Sequence, residues 1–100
     1  MIHIIWEFQV DPAHIAEFEK NYNAKGTWAI LFNRSENYHG TTLLKDNNIF
    51  SRYLTIDQWD NFVAFEDFKA KHLKAYNDLD LACEKLTLSE NKIGIFDLVE

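Results

Sequence analysis

Arg52-Tyr53-Leu54-Thr55-Ile56-Asp57-Gln58-Trp59, then Asp60-Asn61-Phe62-Val63-Ala64-Phe65-Glu66-Asp67-Phe68, and on to His72 and Tyr76, is the stretch that decides the fold. Its first part is β-branched and aromatic and reads as the end of a strand, expected over residues 49–56. Its second part reads as a long aromatic helix from about Gln58 to Leu81. Asp57 is placed to cap that helix, because its carboxylate can accept from the free N–H groups of the first turn. Asp60 adds negative charge at the positive end of the helix. The apolar positions Trp59, Phe62, Val63, Phe65, Phe68, Leu73, Tyr76 and Leu79 lose phase near Asp67, which predicts a kink or two helices end to end. The rest of the chain has to cover this aromatic face.

Towards the N-terminus, residues 2–10 alternate: Ile2, Ile4, Trp6, Phe8 and Val10 share one face, and His3, Ile5, Glu7 and Gln9 the other. Asp11-Pro12 starts a helix with Asp as N-cap and Pro at the first position. Ile15, Phe18 and Tyr22 form its buried stripe, His14, Glu17, Glu19 and Lys20 its outer face, and Gly26 its stop. Thr27 to Phe32 is too apolar for an exposed loop and reads as one or two helical turns against the core. Tyr38 to Lys45 is a second strand, joined to the third through the turn residues Asp46-Asn47-Asn48. Ser89-Glu90-Asn91-Lys92 reads as a turn before a last strand from Ile93 to Val99. The order is β-α-β-β-α-β, an α+β, ferredoxin-like antiparallel sheet with its helices on one face. Ile5 belongs to the open face, and Thr41, Leu43 and Tyr53 fit either side.

The 100 residues suit one domain, 1–100, with a small core. An aromatic share of 15% is more than such a core needs, so the surplus is expected in an interface or a pocket. A net charge of −6 argues against nucleic acid as partner. No apolar run is long enough to span a membrane, and the N-terminus reads as a strand rather than a signal peptide. A single cysteine, Cys83, points to a cytoplasmic protein without internal disulfides. His3, His14, His39 and His72 are scattered without metal-ligand spacing, so no metal is expected. Gly40 is read as a point of close backbone approach in a strand.

The chain resembles the antibiotic-biosynthesis-monooxygenase-like superfamily, the dimeric α/β barrels. The resemblance runs through Phe8-Gln9-Val10-Asp11-Pro12, Gly26-Thr27-Trp28-Ala29-Ile30-Leu31-Phe32 and Gly40-Thr41-Thr42-Leu43-Leu44. It continues through Tyr53-Leu54-Thr55-Ile56-Asp57-Gln58-Trp59 with Ala64-Phe65, and ends at Ile93-Gly94-Ile95-Phe96. It implies a homodimer closed through the open sheet faces. It also implies a pocket between each sheet and its own helices, lined by Trp6, Phe8, Phe62, Phe65, Phe68 and Tyr76, with His72 nearby. The superfamily includes cofactor-independent oxygenases, isomerases and haem-degrading enzymes, and fold alone does not choose among them.

A cofactor-free oxygenase needs a pocket for an electron-rich phenol, a base to form its anion, and exclusion of water. His72 is the candidate base, its ordinary pKa being near neutral. Arg52 is the candidate to stabilise a developing oxyanion. Each has a plainer role to set against this: His72 as a boundary residue of the helix, Arg52 in a cross-strand ion pair with Glu7, the tryptophans as packing. The leading expectation is a monooxygenase or isomerase acting on a small aromatic or apolar molecule without a cofactor. A non-catalytic ligand-binding or accessory homodimer is the alternative. Haem degradation comes third, because the positions of that branch's Asn, Trp and His hold Trp6, Phe68 and Asp78 here.

Overall fold

Alternation along the first strand sets the architecture. The computed structural model describes residues 1–100, and β1 (Ile2–Val10) runs through the middle of a four-stranded sheet. A 3-10 turn follows (Pro12–His14), then α1 (Ile15–Tyr22), α2 (Thr27–Phe32), β2 (Tyr38–Lys45) and β3 (Arg52–Trp59). The chain continues through α3 (Phe62–Lys71), α4 (Leu73–Cys83), a second 3-10 turn (Glu84–Leu86) and β4 (Thr87–Asp97). The strand order is β2-β3-β1-β4, with every neighbouring pair antiparallel. This is the expected α+β arrangement with the helices on one face of the sheet.

Ile2, Ile4, Phe8 and Val10 are buried beneath the helices. Register with β1 places Tyr53 opposite Phe8, Thr55 opposite Trp6, Asp57 opposite Ile4 and Trp59 opposite Ile2, so these four β3 residues face the helices too. Thr41 and Leu43 of β2 pair with Asp57 and Thr55 and join the same side. Asp11 caps as expected, accepting from the Ala13 N–H at 3.0 Å. Phe18 and Tyr22 of α1 and Trp28, Leu31 and Phe32 of α2 complete the core with Phe68 and Leu86.

Four boundaries differ from the sequence reading. β3 ends at Trp59 rather than Ile56, because the alternation of Tyr53, Thr55, Asp57 and Trp59 stays paired with β1 to the end. Asp57 is therefore a strand residue and caps nothing. Asn61 caps α3 instead, its side chain accepting from the Ala64 N–H at 2.9 Å. The long helix is two helices end to end, one of the two forms expected, but the break falls not near Asp67 but at His72, whose φ of −116° and ψ of 33° leave the helical region. Ser89 to Lys92 is no turn: β4 starts at Thr87 and stays paired along β1, with irregularities opposite Ile5/Trp6 and Gln9/Val10 absorbing the surplus residues.

Two glycines have reasons other than those expected. Gly26 does not only stop α1; it is the N-cap of α2, and a Cβ there would lie 2.6 Å from the Asn21 carbonyl oxygen. Gly40 is not a close approach, since a Cβ there meets nothing; its φ of +128° at a strand irregularity is what requires glycine. No helix is long and apolar enough to cross a membrane.

Candidate functional site

A cavity of ≈ 250 Å³ lies between the helix-facing side of the sheet and the helices. The sheet contributes Trp6 and Phe8 from β1, Thr41 from β2, Thr55 and Asp57 from β3, and Glu90 from β4. The helices contribute Tyr22, Trp28, Phe32, Lys69, Tyr76, Asn77 and Asp80. Much of the wall is one connected aromatic surface. Phe8 meets Tyr22 at 5.1 Å between ring centroids, Tyr22 meets Trp28 at 6.2 Å, and Trp28 meets Tyr76 edge-on at 5.1 Å.

Asp57 is the carboxylate that this wall encloses. Its Oδ1 accepts from Thr41 Oγ1 at 2.5 Å, and Thr41 Oγ1 is in turn bonded to the Tyr38 hydroxyl. Burial among apolar side chains penalises the ionised form and pushes Asp57 up to about 6, while the Thr41 hydrogen bond pulls the other way. Asp57 thus changes charge close to neutral pH, the range useful to a general base. The Tyr76 phenol, raised to about 12 mainly by burial and next by Asp80, stays a neutral donor. Tyr22 is raised further, again mainly by burial. The Lys69 ammonium lies 4.6 Å from the centroid of the Tyr76 ring, a cation–π arrangement on the cavity wall.

Of the residues expected to line a pocket, the structure brings Trp6, Phe8 and Tyr76 to this cavity. Phe62, Phe65 and Phe68 do not line it. Phe68 is buried against Trp59 and Phe32 at 5.3 and 5.6 Å, and Phe65 packs edge-on against Trp59 at 5.4 Å. The extension of β3 to Trp59 causes this, because that indole fills the space under α3. Phe62 sits further out, beneath the Lys92 ammonium at 5.4 Å.

The two expected catalytic residues are also elsewhere. His72 lies at the break between α3 and α4 with its ring 4.9 Å from Phe68, off the cavity wall. Arg52 is on the open face of the sheet. Its Nε donates to Glu7 Oε2 at 2.7 Å and its Nη1 to Asp46 Oδ2 at 2.7 Å. The cross-strand ion pair with Glu7 is therefore its observed role, and Asp46 completes a three-membered network. Asp57, Thr41, Thr55, Lys69, Asn77, Asp80 and Glu90 are the polar groups that sequence reasoning did not place at the site.

No family model matches the chain, and no curated protein does. Solved structures do match over nearly the whole chain. A mutant form of SnoaB, a cofactor-independent oxygenase from Streptomyces nogalater, is 23% identical with a TM-score of 0.81, covering 99% of this chain and 93% of that one. A candidate antibiotic biosynthesis monooxygenase from Bordetella bronchiseptica is 20% identical with a TM-score of 0.79, covering 99% and 97%. One from Deinococcus radiodurans is 15% identical with a TM-score of 0.78, covering 100% and 94%. At these identities the likeness is one of fold, and the chain has the fold of antibiotic biosynthesis monooxygenase structures, as the sequence resemblance implied.

Proposed function

We propose that this protein is a cofactor-independent monooxygenase of a small electron-rich phenol. The observation that carries the reading is Asp57, a carboxylate held near pH 6 in the wall of an aromatic cavity. The likeness to SnoaB, described as a cofactor-independent oxygenase, supports the same chemistry. A volume of ≈ 250 Å³ is slightly below the range of drug-sized pockets and suits a molecule of one or two rings.

In this reading the phenol enters with its hydroxyl towards Asp57, which removes the proton. Thr41 holds the carboxylate in position. The phenolate passes an electron to dioxygen, and the two radicals combine at a ring carbon. Loss of water from the resulting hydroperoxide leaves a quinone. The balance is one phenol and one dioxygen giving one quinone and one water: one oxygen atom enters the ring and the other leaves as water. Lys69 stabilises the negative charge that develops on oxygen, and the aromatic walls exclude water from the reactive anion. The electrons come from the substrate anion, so the chemistry asks for no bound metal or flavin.

The test is oxygen uptake by purified protein with a panel of phenols, naphthols and anthrones. One dioxygen is expected per substrate consumed, with kcat/KM rising as pH passes about 6, and Asp57→Asn is expected to lose at least about a hundredfold in kcat. Proton exchange or double-bond migration without oxygen uptake would make the protein an isomerase using the same base. Tight binding with neither outcome would favour a non-catalytic ligand carrier, a reading that the absence of His72 and Arg52 from the cavity supports.

The open sheet face supports the homodimer as the working form. Ile5, Leu54 and Ile56 lie on that face with Leu44 and Phe96, which are each 45% exposed. Covering them with a second copy would remove a contiguous apolar patch from water.

A further inference from the structure

Asp57 and Thr41 stand on the cavity wall, but the residue that completes their hydrogen-bond array lies behind them. Thr41 Oγ1 carries one hydrogen, and an ionised carboxylate only accepts. That hydrogen goes to Asp57 Oδ1, 2.5 Å away. The Tyr38 hydroxyl, 2.5 Å from Thr41 Oγ1, is therefore the donor of the second bond. Burial, above all, holds the Tyr38 phenol above its ordinary value, so it keeps its proton at neutral pH. The three groups form a one-way chain from Tyr38 to Thr41 to Asp57. Asp57 Oδ2 has no hydrogen bond with the protein, which leaves it for a substrate proton.

The backbone is built to make this chain. Residues 38 and 41 are three apart and would point to opposite faces of a regular strand. Here an irregularity intervenes: Tyr38 pairs with Trp59, Gly40 with Gln58 and Thr41 with Asp57. Three steps along β2 match two along β3, His39 is the surplus residue, and Tyr38 and Thr41 share the helix-facing side. Gly40, at a φ of +128°, supplies the backbone conformation of this bulge. The bulge is pinned from outside. His39 Nε2 lies 2.5 Å from Asp60 Oδ1, and the Asp60 N–H donates to the Asn37 carbonyl at 3.0 Å. Inside, the Tyr38 ring packs on Phe32 and Trp59, at 5.4 and 5.3 Å between centroids. Tyr38 itself is buried and is not on the cavity wall.

We propose that Tyr38 is a positioning residue for the base: the bulge at His39-Gly40 brings its hydroxyl onto Thr41, which it locks as a donor to Asp57 Oδ1, so that Oδ2 is held for the substrate. The inference rests on Asp57 acting as the base and adds a residue that touches neither cavity nor substrate. A hydrogen bond to the ionised carboxylate favours that form, and a donor behind Thr41 strengthens the bond. Removing the Tyr38 hydroxyl therefore raises the pH at which Asp57 ionises.

Tyr38→Phe removes only that hydroxyl and keeps the ring in its packing. The other titratable groups around Asp57 stay as they are: Lys69 of α3, Tyr76 and Asp80 of α4, Glu90 of β4 and Tyr22 of α1. Carbon-13 NMR of the Asp57 carboxyl follows its ionisation in the protein alone, and the pH profile of kcat/KM follows it in oxygen uptake. In Tyr38→Phe both are expected to move upward by about half a pH unit. The plateau kcat should fall about threefold with KM unchanged. Thr41→Val is expected to move both profiles by about 1–2 pH units. In the Thr41→Val background Tyr38→Phe is expected to add nothing, because the chain is already broken. An unmoved carboxyl titration in Tyr38→Phe, or an equal shift in both backgrounds, would overturn the inference and leave the oxygenase reading untouched. The expected titrations without oxygen uptake by the unaltered protein would keep the chain and overturn the oxygenase.

Discussion

At Asp57 two demands oppose each other. A base near pH 6 is useful for taking a phenolic proton, yet the burial that raises its pKa also makes the folded state less stable once the group ionises. The sign follows from linkage. A carboxyl with a folded pKa of about 6 and an unfolded one near 4 holds its proton more tightly when folded. The penalty is absent below pH 4, grows as pH rises, and is complete once pH passes the folded value. Asp57→Asn is therefore expected to melt like the unaltered protein at pH 4 and to be more stable at pH 8, by on the order of 2–3 kcal/mol. Thermal unfolding at the two pH values measures this, and equal stability of both proteins at pH 8 would show that the carboxylate is not strained. A residue that costs stability while carrying out chemistry is a familiar compromise at active sites. Asp57 also shows how a site residue escapes a sequence reading. An Asp shortly before an aromatic helix reads as a cap, and only the parity of Tyr53, Thr55, Asp57 and Trp59 signals a polar residue on the buried side of a strand.

At the level of elements, the turns between helices decide more than the helices themselves. Asn61 and Gly26 begin α3 and α2 by different physics. Asn61 satisfies a backbone N–H that would otherwise be unpaired, so Asn61→Ala is expected to cost about 1 kcal/mol. Gly26 has ordinary extended backbone, but a Cβ there would press on the Lys20 and Asn21 carbonyls at 2.6–2.7 Å, and backbone yields less than a side chain. Gly26→Ala should therefore cost about 2 kcal/mol or more, in the overpacking range. Urea unfolding of both variants tests the order, and a larger loss at Asn61 would mean that the α1–α2 corner can open. The elements that were legible in the sequence are those with a strong pattern: β1 by alternation, α1 by the stripe of Ile15, Phe18 and Tyr22, and α2 by apolar density. β4 was legible only from Ile93 onward; its first half was read as a turn, because Leu88 to Lys92 are exposed and show no alternation. Its strand character comes from pairing with β1, a long-range cause that a local pattern does not carry. The same gap explains the pocket. The aromatic stripe of α3 was visible, but which rings meet solvent-sized space depended on where Trp59 ended up.

For the whole molecule, the helices cover one side of the sheet and leave the other with apolar and charged groups side by side. Ile5, Leu54, Ile56, Leu44 and Phe96 are interspersed with the Glu7–Arg52–Asp46 network. Such a mixture suits an interface with an apolar centre and a polar rim. Two identical faces brought together by a two-fold axis would bury both patches at once. Net charge opposes this, since each copy carries −6 and the pair −12 if no ions bind. Association should therefore tighten as salt screens the repulsion. Sedimentation at micromolar concentration should give twice the 11.8 kDa chain mass, and Leu44→Glu with Phe96→Glu should give the single chain, with secondary structure intact because both side chains are already half exposed. A monomeric unaltered protein would leave the patch needing another partner. If the dimer forms, ligand affinity in the separated variant becomes informative: the cavity lies on the helix side of the sheet, so binding should survive dissociation unless the second copy stiffens the strands that hold Asp57 and Thr41.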